Sequence, residues 1–298
     1  MEFTYRDIAE NEKNLTTVSR IYSELLAAKA GRNDTLIAIG GGATLDTVGF
    51  AAATYKRGMR WIACPTTLLA MVDAGIGGKT GVNLDGVKNA IGAFYPPSET
   101  RIDVRQLLTL DRTQILSGLG EMLKHGLLDS EEHLSAVMAL MDSDITESTL
   151  PTWQDAITHS RAVKQRIIDI DPLEHGPRRS LNLGHTVGHA LEALSLSGSS
   201  PLPHGYAVVY GLIAELYLSH VLLGLDKLVV SRISHLIPEY YPRPNVSCRR
   251  YEELFALMQQ DKKGPLNFTL LRAIGHPILD QTASRDQIYE ALDYLFSL

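Results

Sequence analysis

Cysteine is scarce in this sequence. Among 298 residues only Cys64 and Cys248 occur, and their separation matches no metal-binding spacing. Two isolated thiols make no disulfide framework, and such sparing use of cysteine is typical of proteins from a reducing compartment. We therefore expect a cytoplasmic protein whose fold depends on a hydrophobic core rather than on cross-links.

The sequence also lacks an excess of positive charge, a long apolar run and a secretory leader. Lys and Arg number 28 against 34 Asp and Glu, which gives a formal net charge of −6. That balance argues against a nucleic-acid surface, although local basic groups can still bind a small anion. Apolar stretches are too short or too interrupted to span a bilayer, and residues 1–14 are charged. We expect neither a nucleic acid nor a membrane as a partner.

The remaining composition is ordinary for a globular protein, with 45% apolar and 21% charged residues. A chain of this length suffices for two domains. Its first third predicts short apolar strands that alternate with helices, as in a parallel α/β sheet. The predicted elements are a helix over 15–30, a strand over 35–39, a helix over 43–55, a strand over 60–64, a helix over 66–74, a glycine-rich loop over 75–88 and a strand over 102–104.

Two glycine-rich segments in this region suggest contacts with phosphate groups. Gly40, Gly41 and Gly42 separate a predicted strand from a predicted helix, so bare backbone N–H groups can approach an anion there. The spacing is not the Gly-x-Gly-x-x-Gly of dinucleotide-binding folds, and glycines at such turns also serve packing alone. The segment 77–81 resembles the end of a P-loop, but the upstream glycine spacing excludes that motif.

Beyond Asp111 the pattern becomes mainly helical. Asp111 with Gln114 predicts a capping box at a helix start, and Ser284 with Gln287 predicts another before a last helix that runs to residue 298. Between them the sequence predicts a long helix over 151–170, a polar loop over 171–180, a buried helix over 206–223, a Pro- and Tyr-rich loop over 238–248 and a strand over 268–274.

These elements predict an α/β fold with two domains. The first, over residues 1–110, is an α/β domain with a parallel sheet. The second, over residues 111–298, is mainly α-helical and carries the residue types suited to metal and substrate binding.

The segment 181–192 has the most distinctive polar pattern of the helical half. His185, His189 and Glu192 follow at intervals of four and three residues, which places them on one face of a helix. Two imidazoles one turn apart suit a divalent metal or an acid/base pair. Buried histidines that merely satisfy their hydrogen bonds in the core also show this spacing.

Other candidates for metal or proton chemistry lie in the same half. Glu121 and Lys124 occur close together, and His204 follows a proline. One carboxylate and two imidazoles make a zinc-type site that leaves coordination positions open for substrate oxygens. Several basic residues lie near glycines or polar turns, where they either bind an anion or are ordinary solvated charges: Arg57, Lys79, Lys88, Lys124, Lys164, Arg178, Lys262 and Lys263.

Taken in order, motifs along nearly the whole chain resemble those of the sugar phosphate cyclases, and among them the 3-dehydroquinate synthase family. The resemblance rests on Gly40-Gly41-Gly42-x-x-x-Asp46, Arg57-Gly58, Pro65-Thr66-Thr67-Leu68-Leu69, Asp73, Gly77-Gly78-Lys79-Thr80, Lys88-Asn89-x-Ile91-Gly92, Gly120-Glu121-x-x-Lys124, Asn182-x-Gly184-His185-Thr186-x-Gly188-His189, His204-Gly205 and Asp261-Lys262-Lys263. Members usually carry a further strand–helix–strand before the segment that begins at Glu10, and glycine where Ala9 stands here. The resemblance therefore implies that residues 1–110 form a Rossmann-like, NAD-binding domain that is incomplete at its start. This shortened N-terminus would arise by truncation, by fragmentation or as a natural short form.

The resemblance also implies a set of residues for each ligand. A divalent metal, zinc or cobalt, is expected at Glu121, His185 and His204. NAD is expected at Glu10, Lys13, Gly41, Gly42, Asp46, Thr66, Thr67, Asp73 and Lys88. The substrate phosphate is expected at Lys79, Asn89, His189 and Lys263, with Lys263 favoured over Lys262, and the substrate hydroxyls and carboxylate at Lys124, Lys164, Arg178 and Asn182.

The implied catalytic set is His189, Lys124, Lys79 and Asn89. His189 is the expected proton relay, and Lys124 supports developing negative charge. Arg57 is expected to reach the substrate phosphate from the neighbouring subunit of a homodimer.

The implied activity converts 3-deoxy-D-arabino-heptulosonate 7-phosphate to 3-dehydroquinate and phosphate, a step of aromatic amino acid biosynthesis. NAD would oxidise the substrate transiently, with the metal as a Lewis acid, before phosphate elimination, reduction and aldol closure. Two alternatives stay open. A metal-dependent polyol dehydrogenase of the glycerol dehydrogenase type would not need so many basic groups, and a non-catalytic or impaired remnant would bind metal and phosphate without turnover.

Overall fold

A parallel sheet is the framework of the first of two units into which the chain divides. The computed structural model describes residues 1–196, 201–260 and 266–298. Unit 1 comprises Met1–Gly118 with Ile145–Ile168, and unit 2 comprises Leu119–Asp144 with Asp169–Leu298. These units are defined by internal contacts and not by independent folding, so the domain boundary predicted between residues 110 and 111 stays a prediction.

The sheet of unit 1 has four parallel strands, which lie in the order β1 (Glu2–Arg6), β2 (Thr35–Gly40), β3 (Arg60–Pro65) and β6 (Glu99–Thr100). Thr35 of β2 lies between Glu2 and Arg60 in register, and Gly40 pairs with Pro65 at the other end. Strand β2 is buried along most of its length, as expected of a central strand flanked by helices. The elements of this unit up to residue 65 are β1 (Glu2–Arg6), α1 (Leu15–Ala27), β2 (Thr35–Gly40), α2 (Gly42–Thr54) and β3 (Arg60–Pro65).

The predicted elements of this sheet are mostly confirmed. Two of the predicted strands match β2 and β3, and two of the predicted helices match α1 and α2. The helix predicted over 66–74 is helical in its later part, with a π-helix over Ala70–Ala74. Asn14 caps α1, since its side chain accepts from the N–H of Thr17 at 3.0 Å. Strand β1 was not among the predicted elements. Its burial alternates along Glu2–Arg6, and it lies at the edge of the sheet, so it lacks the continuous apolar run of a central strand.

The glycine-rich segment over 75–88 is not a loop, and that prediction was wrong. Most of it forms a hairpin of two antiparallel strands, β4 (Lys79–Leu84) and β5 (Val87–Phe94). The turn residues Asp85 and Gly86 have φ angles of 49° and 80°. Two positive φ values in a two-residue loop match the right-handed twist of a hairpin, and Asp-Gly favours that turn.

The strand predicted over 102–104 is also misplaced. The fourth strand of the sheet is β6 (Glu99–Thr100), which pairs with Ile62 and Ala63. The backbone then turns at Asp103, whose carboxylate accepts from the N–H of Arg105 at 3.1 Å and begins a 3₁₀ helix over Val104–Thr109. A capping side chain of this kind competes with strand pairing for the local backbone.

The rest of the described chain is mainly helical. The long helix predicted over 151–170 and the buried helix predicted over 206–223 are confirmed, and Asp111 accepts from the N–H of Gln114 at the start of α3. The elements are α3 (Arg112–Asp129), α4 (Glu131–Ala139), α5 (Leu150–Ile170), α6 (His185–Ser195), α7 (His204–Leu223), α8 (Lys227–Ser234), α9 (Leu236–Glu239), α10 (Tyr251–Gln260), β7 (Phe268–Ala273), β8 (His276–Gln281) and α11 (Arg285–Ser297).

Helix α7 is the core helix of unit 2. Among the described residues it is the one helix long and apolar enough to cross a membrane, but 72% of its most apolar window is buried inside the protein. It packs against α6, α8, α11 and β7. The strand predicted over 268–274 is confirmed as β7, whereas its antiparallel partner β8 was not predicted. The capping box of Ser284 and Gln287 begins α11 as expected.

Candidate metal centre and binding residues

Helix α6 places the two histidines of the distinctive sequence segment. Gly184 has a φ of 79°, a left-handed conformation that glycine adopts without strain, and this turn lets α6 begin at His185. His185 and His189 then follow one helical turn apart, with ring centroids 5.0 Å from each other and planes nearly perpendicular. His204, the first residue of α7, brings a third imidazole within 5.5 Å of His185.

Glu121 of α3 lies at the centre of this group and is fully buried. Its Oε1 is 3.4 Å from His185 Nε2 and 3.1 Å from His204 Nε2. One ligand atom from each of Glu121, His185 and His204 lies within 4.8 Å of the others. The structure therefore brings together the three residues predicted to bind a metal, all of them in unit 2.

Lys124, one turn further along α3, forms an ion pair with the other oxygen of Glu121. Burial alone would raise the pKa of the Glu121 carboxyl, but the Lys124 ammonium and the two imidazoles outweigh it and hold that pKa well below its ordinary value. The carboxylate is consequently charged at neutral pH, as a metal ligand must be.

The two imidazoles next to Glu121 have opposite electrostatic surroundings. Burial and the neighbouring Lys124 ammonium lower the pKa of His185 to about 4, so this ring is neutral and ready to donate a lone pair. Burial also opposes a charge on His204, but its hydrogen bonds to Glu121 and Glu192 outweigh burial and raise the pKa to about 10. A metal ion at this point would replace the proton on His204 Nε2, which faces Glu121, and leave the proton on Nδ1, which faces Glu192.

Hydrogen bonds also fix which nitrogen of each ring faces the centre. His185 Nδ1 lies 3.1 Å from the carbonyl oxygen of Leu183, and His204 Nδ1 lies 3.3 Å from Glu192 Oε2. Metal-binding histidines commonly donate one ring N–H to a carbonyl or carboxylate in this way, which directs the other nitrogen to the metal. The residues therefore fit a divalent cation such as zinc, which prefers imidazole and carboxylate ligands.

His189 lies beside the centre and is not one of the three donors around Glu121, but with Glu192 and His204 it forms a second group of donor atoms within 4.8 Å of one another. Its ring centroid is 6.0 Å from that of His204, and its side chain is half-buried. The predicted role as a proton relay stays a prediction, and the position of the ring is compatible with it.

A polar turn presents the residues predicted to bind the substrate carboxylate. The Asp171 carboxylate accepts from the backbone N–H groups of His175, Gly176 and Arg178 at 3.0, 2.7 and 3.2 Å. A 3₁₀ helix, Pro177–Asn182, follows and carries the buried Arg178 and the half-buried Asn182. Lys262 and Lys263 lie outside the described residues.

In unit 1, several of the residues predicted to hold NAD lie where β2 ends and α2 begins. Gly41 is the N-cap residue of α2 and Gly42 is its first helical residue, so the helix start carries no capping side chain of its own there. The N–H of Thr66 donates to the carbonyl of Gly40 at 3.0 Å, and the Thr67 methyl lies against Gly41. A strand that ends in glycines at a helix N-terminus fits a pyrophosphate group.

Three further contacts involve predicted NAD residues or residues next to them in space. Lys13 is buried and its Nζ lies 2.6 Å from Asp46 Oδ2. Burial raises the pKa of Asp46 to about 6 against the opposing effect of Lys13. Glu10 Oε1 accepts from Asn83 Nδ2 at 2.9 Å, and Asn83 Oδ1 accepts from the backbone N–H of Asn89 at 2.9 Å. These contacts connect the start of the chain to the hairpin.

Asp73 and Lys164 form an ion pair, with Lys164 Nζ at 2.6 Å from Asp73 Oδ1 and at 2.8 Å from the Asp73 carbonyl oxygen. The family resemblance implied that Asp73 binds NAD and that Lys164 binds the substrate. The structure brings these two residues together within unit 1.

The remaining predicted residues of unit 1 are exposed. Lys79 begins β4, and Lys88 and Asn89 lie in β5. Arg57 has a φ of 64°, and Lys56 before it has a φ of 47°. Two consecutive non-glycine residues with left-handed backbone conformations are uncommon, and backbone strain of this kind is concentrated at functional sites.

Sequence reasoning missed three residues that support these groups. Glu192 was placed on the correct helix face, but its contact with His204 was not predicted. Asn83 gave no signal, because a single asparagine in a glycine-rich segment is unremarkable. Glu215 accepts from backbone N–H groups of α6, and an acidic residue inside an otherwise apolar helix was the available signal.

The chain matches two family profiles in succession. The profile described as 3-dehydroquinate synthase N-terminal matches residues 4–117, and the profile described as 3-dehydroquinate synthase C-terminal matches residues 118–264. The 3-dehydroquinate synthase of Parabacteroides distasonis is 44% identical over 291 residues, which cover 97% of this chain and 82% of the relative.

Solved structures of related cyclases also have this fold. A 2-epi-5-epi-valiolone synthase from Streptomyces hygroscopicus subsp. jinggangensis, solved with NAD⁺ and Zn²⁺, has a TM-score of 0.83 at 28% identity, over 98% of this chain and 81% of its own. A 2-deoxy-scyllo-inosose synthase, solved with carbaglucose-6-phosphate, NAD⁺ and Co²⁺, has a TM-score of 0.81 at 25% identity, over 95% of this chain and 80% of its own. These likenesses confirm the predicted fold class, and with the two matching profiles they show that the chain belongs to the 3-dehydroquinate synthase family.

Proposed function

We propose that this protein is a 3-dehydroquinate synthase, a carbon–oxygen lyase that converts 3-deoxy-D-arabino-heptulosonate 7-phosphate to 3-dehydroquinate and phosphate. The observation that carries the proposal is the grouping of the buried Glu121 with the half-buried His185 and His204, in a chain of this family. A carboxylate and two imidazoles gathered around one point have the chemistry of an open metal site rather than of a closed structural one.

The proposal includes NAD and one divalent metal, zinc or cobalt. Related cyclases were solved with these groups, and the donor set around Glu121 and the glycine turn at Gly41 and Gly42 fit them. When bound, NAD supplies a reversible oxidation of one substrate alcohol, and the metal supplies Lewis acidity at that alcohol. We assign the NAD contacts to Glu10, Lys13, Gly41, Gly42, Asp46, Thr66, Thr67, Asp73 and Lys88.

The substrate carboxylate distinguishes this reaction from those of cyclases whose substrates lack one. We assign it to Arg178 and Lys164, with Asn182 at the hydroxyls. The turn that Asp171 organises presents Arg178 in a fixed position, and a planar guanidinium suits a carboxylate. Lys164 reaches the substrate from its ion pair with Asp73, so substrate binding exchanges one carboxylate partner for another.

At the other end of the substrate we assign the phosphate to Lys79, Asn89, His189 and Lys263, and to Arg57 of a second subunit in a homodimer. These groups compensate the charge of phosphate as it departs. His189 moves a proton at the reacting end, and Lys124, beside Glu121, supports negative charge that develops on the substrate. We also propose the cytoplasm as the cellular setting, which suits a substrate that is a small sugar phosphate.

The test is product identification. The protein is incubated with the heptulosonate phosphate, NAD and Zn²⁺, and the products are identified by proton NMR and by a phosphate assay. We expect 3-dehydroquinate and phosphate in equal amounts, and no product from glucose 6-phosphate, which has no carboxylate. Oxidation of glycerol with net formation of NADH would instead indicate a polyol dehydrogenase. Binding of metal and substrate without any product would indicate a non-catalytic remnant.

A further inference from the structure

Glu215 is a fully buried carboxylate in the middle of the apolar helix α7. The residues around it in the helix, from Ile213 to Leu216, are otherwise apolar and buried as well. A carboxylate in such surroundings requires compensation by hydrogen bonds, since burial of an unpaired polar group is strongly unfavourable. Its partners therefore indicate why the residue is there.

Those partners belong to the first turn of α6. Glu215 Oε2 accepts from the N–H of Gly184 at 2.7 Å, and Oε1 accepts from the N–H of Val187 at 3.2 Å. The N-cap residue of α6 is Gly184, which has no side chain to satisfy these N–H groups. A carboxylate from a neighbouring helix thus performs the capping, and its charge is favourable at a helix N-terminus.

A close approach of the two helices brings Glu215 within reach. A Cβ atom on Gly211 would lie 1.8 Å from the carbonyl oxygen of Gly184, so only glycine allows this contact. Glu215 follows Gly211 by one helical turn on the same face of α7. The contact at Gly211 and the hydrogen bonds of Glu215 together fix α6 against α7 at the point where α6 begins.

The turn that Glu215 fixes is the turn that orients His185. His185 is the first residue of α6. It lies between Gly184 and Val187, and the backbone N–H groups of these two residues donate hydrogen bonds to Glu215. Its Nδ1 contacts the carbonyl oxygen of Leu183 in the same turn, and its Nε2 faces Glu121. A shift or rotation of this turn would move both the ring and the carbonyl that sets its tautomer.

We propose that Glu215 is a positioning residue for the metal centre: by capping the start of α6 it holds His185 in the orientation in which Nε2 faces the metal. The inference rests on the proposed function, because it presumes that Glu121, His185 and His204 bind a divalent cation. It adds a residue that touches neither metal nor substrate and acts through two backbone N–H groups.

The test measures metal affinity of the purified chain. Glu215→Gln keeps the side-chain volume but removes the charge and replaces one acceptor oxygen by an NH₂ group. The matched control is Ser219→Ala, one turn further along α7, which loses buried hydrogen bonds to the N–H of Leu271 and to the carbonyl of Glu215. Zn²⁺ dissociation constants are measured by competition with a chromogenic chelator, and urea unfolding of the metal-free proteins is measured in parallel.

We expect Glu215→Gln to weaken Zn²⁺ binding by about 10- to 100-fold, the range found when partners of metal ligands are removed. Ser219→Ala should bind Zn²⁺ nearly as the wild type does, although its metal-free form is destabilised. The visible absorption spectrum of the Co²⁺-loaded protein should change in Glu215→Gln, because the orientation of the His185 ligand changes. It should not change in Ser219→Ala, because a loss of stability alone leaves the geometry of the metal ligands intact. Where Glu215→Gln does not fold, Glu215→Asp, with the charge kept and the reach shortened, should show the same direction.

Equal Zn²⁺ affinity and an unchanged Co²⁺ spectrum in the Glu215 variants, with a wild type that binds the metal, would overturn this inference and leave the proposed function standing. Equal losses of affinity in Glu215→Gln and Ser219→Ala would overturn it as well, since they would reflect general destabilisation. A wild type that binds no Zn²⁺ would overturn the proposed metal centre itself, and this inference with it.

Discussion

Each imidazole of the candidate metal centre has one nitrogen directed inward by a partner at its other nitrogen. For His185 that partner is the Leu183 carbonyl, and for His204 it is the Glu192 carboxylate. His189 has a different position, beside these rings rather than among the three grouped donors around Glu121. A second group of donor atoms, from His189, Glu192 and His204, also lies within 4.8 Å of one another. Under our proposal the side chains nevertheless divide into the three that hold a cation, Glu121, His185 and His204, and one, His189, that exchanges protons.

The division predicts different effects for the histidine substitutions. His189→Ala should lower the rate of phosphate release by about 100-fold or more, the usual contribution of a general acid or base, because the proton relay is lost. Its Zn²⁺ content after dialysis, measured by atomic emission, should equal that of the wild type. His204→Ala is the control and should lose the metal. Loss of zinc from His189→Ala would make His189 a ligand and contradict this assignment.

Asp171 gives a prediction that depends on pH. Burial would raise the pKa of its carboxyl, but three backbone N–H donors outweigh burial and hold that pKa below its ordinary value. A carboxyl with a lowered pKa in the folded state stabilises the protein above its unfolded pKa of about 3.9, and this stabilisation disappears as the pH falls through the folded pKa. The charge on Asp171 should therefore matter at neutral pH and not in strong acid.

Urea unfolding of the wild type and of Asp171→Asn at pH 7, 5 and 3.5 checks this. The variant should be less stable at pH 7 and pH 5, and the difference should shrink at pH 3.5. A difference that stays constant down to pH 3.5 would show that the three hydrogen bonds do not favour the charged form.

At the scale of elements, the hairpin β4–β5 depends on two kinds of glycine. Gly86 is needed for its positive φ in the turn, where a side chain would meet open space. Gly92 is needed for a close approach, because a Cβ atom there would lie 2.5 Å from the carbonyl oxygen of Thr80 on the opposite strand. Lys79 and Asn89, which we assign to phosphate, lie in these two strands.

The two glycines should consequently differ in their tolerance of alanine. Gly86→Ala should cost about 1 kcal/mol, the usual penalty for a left-handed residue with a Cβ atom. Gly92→Ala should cost about 3 kcal/mol, because backbone cannot yield as a flexible side chain can. Free energies of unfolding from urea titrations compare the two. Equal costs would mean that the strands can separate to admit a methyl group.

This hairpin also shows what sequence patterns can and cannot predict. The helices α5 and α7 and the strands β2 and β3 have a strong apolar period or a continuous apolar run, and their positions were predicted correctly. The hairpin is rich in glycine and mostly exposed along β5, so burial leaves no periodic signal. Asp85-Gly86 was the informative dipeptide, but it requires strands on both sides to be recognised first.

At the scale of the whole molecule, the sequence predicted the candidate metal ligands but not the residues whose contacts hold the predicted groups in place. Glu121, His185 and His204 were predicted because their chemistry is specific and the family motif is distinctive. Glu192, Asn83 and Glu215 act through contacts across 12 to 73 residues of sequence, and no local pattern encodes such contacts. The ion pair of Asp73 and Lys164, 91 residues apart, was missed for the same reason.

The proposed homodimer gives a prediction at this scale. If Arg57 acts on the substrate of the neighbouring subunit, each active site takes His189 from one subunit and Arg57 from the other. Arg57→Ala and His189→Ala then remove residues that different subunits contribute to one site. A mixture of the two inactive variants, exchanged at equal concentrations, should recover about one quarter of wild-type phosphate release, since half of the dimers are mixed and each has one intact site. No recovery in dimers shown to be mixed would place Arg57 and His189 in the same subunit's site.

The central claim is that NAD acts as a recycled catalyst beside a metal-bound substrate. Its most direct test is to count phosphate released from the heptulosonate phosphate per molecule of NAD supplied, with Zn²⁺, with a chelator, and after Zn²⁺ is restored. We expect many phosphates for each NAD without accumulation of NADH, and we expect the chelator to abolish this release and Zn²⁺ to restore it. Release that stops at one phosphate for each NAD while NADH accumulates, or release indifferent to the chelator, would contradict it.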